Sequence, residues 1–246
     1  MQERPCSDDG FLAGRLKILQ PLKGFRAGID SVFLAASVPA QGGETVIEAG
    51  AGAGVAALCL MCRCPGVRLT GLEIDPQAAA LFEENARRNN MLDRLTVIRG
   101  DLRQLPAGPA VFDHAMANPP FHDEGRSTPS PTPSKAKAHA FGQNDLPLWV
   151  NVLHAALRPG GTITIVNRAE SLANLLSALD HRFGAISISP LFPRAGSPAS
   201  RIIVQAVKNA KAPLRLLPGL VLHGDRNDFT PQAQAILREA APFRLA

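Results

Sequence analysis

Residues 45–62 read TVIEAGAGAGVAALCLMC, and this segment is the strongest indication of the fold class. It begins as a short β-branched run and passes through the alternating glycines Gly50, Gly52 and Gly54. It continues as a run of Ala, Leu, Cys and Met with helical character. The stretch therefore predicts a strand, a glycine-rich loop and a helix in direct succession.

The same unit recurs along the chain. RLTGLEIDPQAAALFEENARRNN (residues 68–90) reads as strand then helix, with Asp75 as N-cap and Pro76 at the first helical position. The later segments predict helices at about 144–157 and 170–180, an RPGG turn ending the first of them, and strands in LTVIRGD, VFDHAMAN, TITIVN, AISIS and SRIIVQAVK. Alternating strands and helices predict an α/β fold with one doubly wound sheet.

We expect a single domain over residues 1–246. It would comprise an N-terminal segment with a helix (1–40), a core (41–210) and a C-terminal extension (211–246). In the extension we expect a short extended pair and a last helix, capped by Thr230 and opened by Pro231.

The composition of the chain limits the compartment, the partners and the metal ions that we expect. A net charge of +5 and a pI near 9.4 permit a polyanionic partner without requiring one. No apolar run approaches the roughly 20 residues that span a bilayer, and MQERPCSDDG does not resemble a signal peptide, so we expect a cytoplasmic protein without a membrane partner. Cys59, Cys62 and Cys64 lack a second ligand pair at zinc-site spacing, and we expect no metal.

Two carboxylates follow successive strands of the predicted sheet. Glu73 ends the second strand, 19 positions after Gly54, and Asp101 ends the third. In a doubly wound sheet the ligand lies at the carboxyl ends of the strands, where such residues bind ribose hydroxyls or an adenine amino group. A tight packing turn is the structural alternative for the glycines alone, but the three features together predict an adenosine ligand.

The spacing E-A-G-A-G-A-G departs from the G-x-G-x-x-G of pyrophosphate-binding loops. It resembles the first motif of class I S-adenosylmethionine-dependent methyltransferases. The resemblance implies their Rossmann-like, seven-stranded, mostly parallel sheet with an antiparallel last strand, and S-adenosyl-L-methionine as cofactor. It also implies that Glu48 serves the methionine end of the cofactor, Glu73 with Ile74 the ribose, and Asp101 with Leu102 the adenine.

A second motif follows the fourth strand. Asn118-Pro119-Pro120-Phe121 matches the (D/N)-P-P-(Y/F/W) motif of methyltransferases that act on planar amino groups. The lone pair of such a nitrogen is delocalised, and acceptors at the Asn118 side chain and the Pro119 carbonyl would orient the nitrogen and enrich it in electrons. Phe121 would stack on a planar substrate. We expect Asn118, Pro119 and Phe121 to be catalytic, with Asn118 also touching the cofactor.

A segment near the N-terminus resembles one particular family of these methyltransferases. FRAGIDSVFLAA (residues 25–36) resembles the R-x-G-x-D motif of the bacterial family that methylates N6 of the adenine beside the anticodon of a valine tRNA. This implies that Arg26, Gly28 and Asp30 bind the cofactor and that the partner is RNA, namely tRNA. Asp30 could also serve as N-cap of a helix over 31–38. FTPQAQAILREA near the C-terminus also resembles that family.

Three questions stay open at this stage. The proline-rich segment 122–140 is either a substrate lid or RNA clamp, or a solvated insertion. A glutamine methyltransferase acting on a protein shares the tetrapeptide motif, although only 47 residues precede Glu48 and we expect no room for its helical substrate domain. A catalytically inactive RNA- or cofactor-binding module is the third reading. The exact target nucleotide and the oligomeric state are not predicted.

Overall fold

The computed structural model describes residues 5–104, 110–120, 146–226 and 228–245, with Gln104 described by its backbone alone. The chain forms an α/β structure with a central sheet, as predicted. The strands are β1 (Cys6–Phe11), β2 (Leu16–Pro21), β3 (Thr45–Ala49), β4 (Arg68–Glu73), β5 (Leu95–Arg99), β6 (Phe112–Ala117), β7 (Leu157–Arg168), β8 (Phe183–Phe192), β9 (Arg201–Lys208), β10 (Arg215–Leu216) and β11 (Leu220–Val221). The helices are α1 (Ile29–Ser37), α2 (Val55–Arg63), α3 (Pro76–Arg88), α4 (Leu146–Ala156), α5 (Leu172–Leu179) and α6 (Pro231–Glu239).

The strand order identifies the ligand edge of the sheet. Among the described residues the main sheet has nine strands in the order β10-β8-β9-β7-β6-β3-β4-β5, with β11 beside β8. Strands β5, β4, β3, β6 and β7 are parallel, whereas β9 is antiparallel to β7 and β8, as the resemblance implied. The order reverses between β3 and β6, and ligands bind at the carboxyl ends of strands at such a switch point.

The short strands of the tail enlarge the expected seven-stranded sheet. Strands β10 and β11 both pair with β8 in parallel orientation and not with each other, so the expected extended pair is two separate additions to one strand.

Two apolar clusters cover the two faces of the sheet. One joins α1, α2, α3 and α6, and the other joins α4 and α5. Along β3 the side chains alternate between them: Val46 belongs to the first cluster, and Ile47 and Ala49 belong to the second. This is the two-sided burial that a doubly wound sheet requires.

Local capping follows the sequence closely at two helices. The Asp75 side chain accepts a hydrogen bond from the Gln77 amide at 2.9 Å, and the Thr230 hydroxyl accepts one from the Ala233 amide at 3.3 Å. Pro76 opens α3, as predicted, and Pro231 likewise opens α6.

Helix α1 differs from its prediction. It begins at Ile29 and Gly28 is its N-cap residue, so the prediction of Asp30 as N-cap is wrong. Asp30 lies in the first turn instead and forms an ion pair with Arg201 of β9 at 2.9 Å. The Asp30 carboxylate, which local sequence rules assign to the helix N-cap, therefore forms a tertiary ion pair instead.

The expected turn after α4 also differs. The helix ends at Ala156, and β7 begins at Leu157, so the RPGG residues lie within the strand. Gly160 has φ 76°, and the register of β7 against β6 shifts in this region, which accommodates the glycines as a strand irregularity.

Strands β1 and β2 form an antiparallel hairpin, a two-stranded sheet separate from the main one, that the sequence did not suggest.

The cysteines Cys6, Cys59, Cys62 and Cys64 are free, and Cys59 is buried in the core of α2. No helix among the described residues is both long enough and apolar enough to cross a membrane.

Candidate functional site

The candidate site lies at the carboxyl edge of the sheet, where β4, β3 and β6 end side by side. The register aligns the last residue pairs of these strands, so the next positions, Glu73, Gly50 and Asn118, stand in one row. Neighbouring strands are about 4.8 Å apart, so the row spans about 10 Å. The sheet therefore brings three residues singled out from separate motifs to one place.

The glycine loop, residues 50–54, connects β3 to α2 with φ values of 65° at Gly50, 57° at Gly52 and 85° at Gly54. A Cβ on Gly50 would lie 2.6 Å from the Trp149 ring, and one on Gly54 would lie 1.9 Å from the Phe82 ring. A Cβ on Gly52 would meet no atom of residues 5–104, 110–120, 146–226 or 228–245 within 4 Å. Two of the three glycines thus make room for protein rings rather than for a ligand, and Gly52 is the one that faces open space.

Glu48 is the most deeply buried carboxyl group of the site, with 3% of the residue exposed. Its Oε2 atom is buried and has no hydrogen-bond partner among the described residues. Burial raises the pKa of Glu48 to about 8, although the backbone amide of Ala57 in the first turn of α2 opposes the shift. A buried carboxyl with an unused oxygen is costly to maintain, which indicates a ligand group at this position.

Glu73 is also buried, but its oxygens are used. Oε2 accepts the Gly52 amide at 2.7 Å and Oε1 accepts the Asp75 amide at 2.8 Å. Burial raises the pKa of Glu73, and these backbone hydrogen bonds oppose the rise. Each carboxylate oxygen has a further lone pair, so Glu73 can still accept a hydroxyl. Ile74 follows it and is half-buried.

Asp101 and Leu102 lie just beyond β5. Arg103 donates to both oxygens of Asp101: Nε at 3.1 Å and 3.0 Å, a terminal nitrogen at 2.6 Å and the backbone amide at 2.9 Å. The hydrogen bonds from the Arg103 side chain lower the pKa of Asp101. Leu102 is buried in the apolar cluster beneath α4 and α5. An adenine bound at Asp101 would share that carboxylate with Arg103, a neighbour that sequence reasoning missed.

Asn118 follows the last residue of β6. It is half-buried, and its Oδ1 atom is buried without a hydrogen-bond partner among the described residues. Pro119 is buried behind it. Phe121 and the segment 122–140 lie outside the described residues, so the predicted stacking of Phe121 and the predicted lid stay predictions.

Two of the predicted site residues near the N-terminus contact other parts of the fold: Arg26 contacts the β1–β2 hairpin, and Asp30 contacts strand β9. The Arg26 guanidinium donates to Asp9 at 2.6 Å, to Ser7 at 2.8 Å and to the Pro21 carbonyl at 3.0 Å. Arg26 is thus held by protein groups, as Asp30 is by Arg201. Gly28 has φ −128° and is exposed. Cofactor contacts of Arg26, Gly28 and Asp30 stay predictions.

Chemically, the site offers the Asn118 amide oxygen and one Glu48 carboxyl oxygen, both without a hydrogen-bond partner among the described residues. The Glu73 carboxylate, which accepts the Gly52 amide at 2.7 Å, adds a third acceptor group. Such a set can bind a ligand that carries both cationic and hydroxyl groups and can orient an N–H donor. Within the described ranges no cluster of three or more His, Cys, Asp or Glu residues could hold a metal ion.

Sequence comparison identifies a family and relatives that match most of the chain. The family profile described as the methyltransferase small domain matches residues 26–190. The tRNA1(Val) (adenine(37)-N6)-methyltransferase of Shewanella baltica is 27% identical over 184 residues, which are 73% of this chain and 76% of that protein. The protein of the same name from Bacteroides thetaiotaomicron is 28% identical over 190 residues, covering 75% and 78%.

Solved structures share the fold. The crystal structure of a predicted O-methyltransferase from Agrobacterium tumefaciens superposes with a TM-score of 0.74 at 22% identity, over 87% of this chain and 98% of that chain. A tRNA (m1A58) methyltransferase from Aquifex aeolicus superposes with a TM-score of 0.57 at 13% identity, over 78% and 73%. At these identities the likeness concerns the fold alone.

Proposed function

Because this chain belongs to the methyltransferase small-domain family, we propose that it is an S-adenosylmethionine-dependent methyltransferase that transfers a methyl group to N6 of an adenine in tRNA. The names of the Shewanella and Bacteroides relatives support the acceptor class. The observation that carries the proposal is the Oδ1 atom of Asn118, a buried acceptor at the carboxyl edge of the sheet that has no partner in the described part of the chain.

The residues of the site fit the cofactor. Bound S-adenosylmethionine supplies a methyl group on a sulfonium centre that is a strong electrophile. The unused oxygen of Glu48 suits the ammonium of its methionine end, directly or through a water molecule. Glu73 suits the ribose hydroxyls, and the open space over Gly52 lets a ligand approach the backbone.

The acceptor chemistry follows from Asn118 and Pro119. An amino group on adenine is a weak nucleophile because its lone pair is delocalised into the ring. If Asn118 Oδ1 accepts one of its N–H bonds and the Pro119 carbonyl accepts the other, the nitrogen gains electron density and is aimed at the methyl group. The methylated nitrogen then becomes acidic and releases its proton to water.

The remaining parts of the proposal concern the partner. A net charge of +5 favours association with a polyanion such as RNA. Phe121 would stack on the flipped adenine, and the protein would act in the cytoplasm, where tRNA is modified.

The experiment that tests this function identifies the acceptor. Purified protein is incubated with methyl-labelled S-adenosylmethionine and an extract of cells of the same organism that lack this protein. The extract is then separated into RNA and protein. We expect the label in tRNA, and N6-methyladenosine after digestion to nucleosides. Label confined to the protein fraction would mean that the motif serves a glutamine amide, and the RNA assignment would fail.

A further inference from the structure

Asn85, near the end of α3, is fully buried and binds two separate segments of the chain. Its Oδ1 accepts the Leu19 amide at 2.7 Å, and its Nδ2 donates to the Leu19 carbonyl at 3.0 Å. The second Nδ2 hydrogen goes to the Ala53 carbonyl at 2.9 Å. One side chain thus ties strand β2 of the hairpin to the glycine loop.

Ala53 lies between Gly52 and Gly54 in the glycine loop, at the edge of the sheet where we propose that the cofactor binds. A loop with three glycines at positive φ has little conformational preference of its own, so its shape depends on the groups that hold it. The Gly52 amide is held by Glu73, and Asn85 holds the Ala53 carbonyl. Asn85 therefore contributes directly to the shape of the loop.

Gln20, the residue after Leu19 in β2, makes a matching pair of contacts with the FRAGID segment, residues 25–30. Its Oε1 accepts the Ala27 amide at 2.8 Å, and its Nε2 donates to the Ala27 carbonyl at 3.3 Å. Nε2 also donates to Asp9 at 2.8 Å, and the same Asp9 oxygen receives the guanidinium of Arg26. Only 2% of Gln20 is exposed, so its own hydrogen bonds are partly shielded from solvent, whereas the Arg26–Asp9 pair is exposed.

We propose that Asn85 and Gln20 are positioning residues for cofactor binding. Asn85 holds the glycine loop, Gln20 holds the FRAGID segment, and the consecutive residues of β2 join the two. The glycine loop and the FRAGID segment, both of which we expect to face the cofactor, are thereby fixed relative to each other before it binds, which lowers the entropy cost of binding. This inference rests on the proposed use of S-adenosylmethionine.

The chain provides a matched control. Asn89, one turn after Asn85, binds the amide of Lys17 at 3.1 Å and its carbonyl at 3.0 Å. These contacts fasten the same hairpin to the same helix, but they do not reach the glycine loop. Removal of Asn89 therefore loosens the hairpin without releasing Ala53.

The test measures S-adenosylmethionine affinity by calorimetry, and then kcat on tRNA at saturating cofactor. We expect Asn85→Ala and Gln20→Ala each to weaken affinity at least tenfold, while kcat changes less than threefold because Asn118 is held by β6. Asn89→Ala should change affinity less than twofold. Equal losses in Asn85→Ala and Asn89→Ala would overturn the proposal, since general destabilisation would explain both.

The doubly substituted protein tests the link through β2. If the two residues act on one relative placement, the loss in the double variant is smaller than the product of the single losses. Independent losses that multiply would overturn the link. Should Asn85→Ala fail to fold, Gln20→Ala decides the matter, and an unchanged affinity in that variant contradicts the proposal. A wild-type protein that does not bind S-adenosylmethionine would instead refute the proposed function.

Discussion

Glu48 should make cofactor binding depend on pH. Its pKa of about 8 in the ligand-free protein means that the carboxyl is mostly neutral at pH 7, because burial penalises the charged form. The cofactor's ammonium favours the carboxylate, so binding requires Glu48 to lose a proton. Below pH 8, the affinity for the cofactor should therefore increase about tenfold for each unit by which the pH is raised.

The measurable range is pH 5.5 to 7.0. Over this range the α-amino group of the cofactor, with an ordinary pKa of roughly 7.7–8.0, stays protonated. The expected gain is about 30-fold, from the change of about tenfold in the ionised fraction of Glu48 for each pH unit. Titration calorimetry in buffers of different ionisation enthalpy would measure both the affinity and the protons released.

Glu48→Gln separates this effect from the titration of Glu73, whose pKa is also raised. The variant should bind more weakly at pH 7 and lose most of the pH dependence. Glu84→Gln, at a surface residue paired with Arg87 on α3, is the control and should keep the wild-type profile. A wild-type affinity that is constant between pH 5.5 and 7.0 would refute the role of Glu48.

The free energy of unfolding of the ligand-free protein should fall as the pH rises, whereas the affinity for the cofactor rises. The folded pKa of Glu48, about 8, lies above its ordinary value of 4.5. The contribution of the neutral carboxyl to the free energy of unfolding is therefore complete below pH 4.5 and is lost as the pH rises through 8. At pH 8 ligand-free Glu48→Gln should unfold at a higher denaturant concentration than the wild type.

Two further pairs of variants test the site. Gly52→Ala places a Cβ in open space, so the free energy of unfolding should fall by about 1–2 kcal/mol from the positive φ alone while cofactor affinity is largely lost. Gly54→Ala would collide with Phe82 and should lower the melting temperature far more, and equal thermal shifts in the two variants would contradict these roles. Asp101→Ala should weaken cofactor affinity, whereas Arg103→Ala should strengthen it severalfold because Arg103 competes for that carboxylate. Unchanged calorimetric affinity in Asp101→Ala would move the adenine site elsewhere.

The sequence predicted the elements of the fold where the signals are local. Strand and helix periods, the caps Asp75 and Thr230, and the glycine loop are all encoded in short stretches of chain. The order of strand ends then predicted which residues meet at the carboxyl edge, because parallel strands align their ends. The row of Glu73, Gly50 and Asn118 follows from this topology.

The residues that sequence reasoning missed act over long separations. Trp149 covers Gly50 from α4, and Asn85 reaches a hairpin 66 positions away. In the sequence Asn85 looks like an ordinary polar residue of an amphipathic helix, and only its complete burial reveals its role. Arg103 is the exception, since a cation two residues after Asp101 could have suggested a local pair. Asp30 shows the converse, because a distant Arg201 overrides its expected capping role.

The role of Asn118 in methyl transfer is tested by comparing Asn118→Ala with the wild type in single-turnover methyl transfer to unmodified tRNA at saturating cofactor. Loss of the acceptor for the amino group should slow transfer by about 10²–10³-fold. Calorimetry should show an S-adenosylmethionine affinity within about threefold of the wild type. Transfer at the wild-type rate would contradict the proposed role of Asn118, because its side-chain oxygen would then have no part in orienting the adenine.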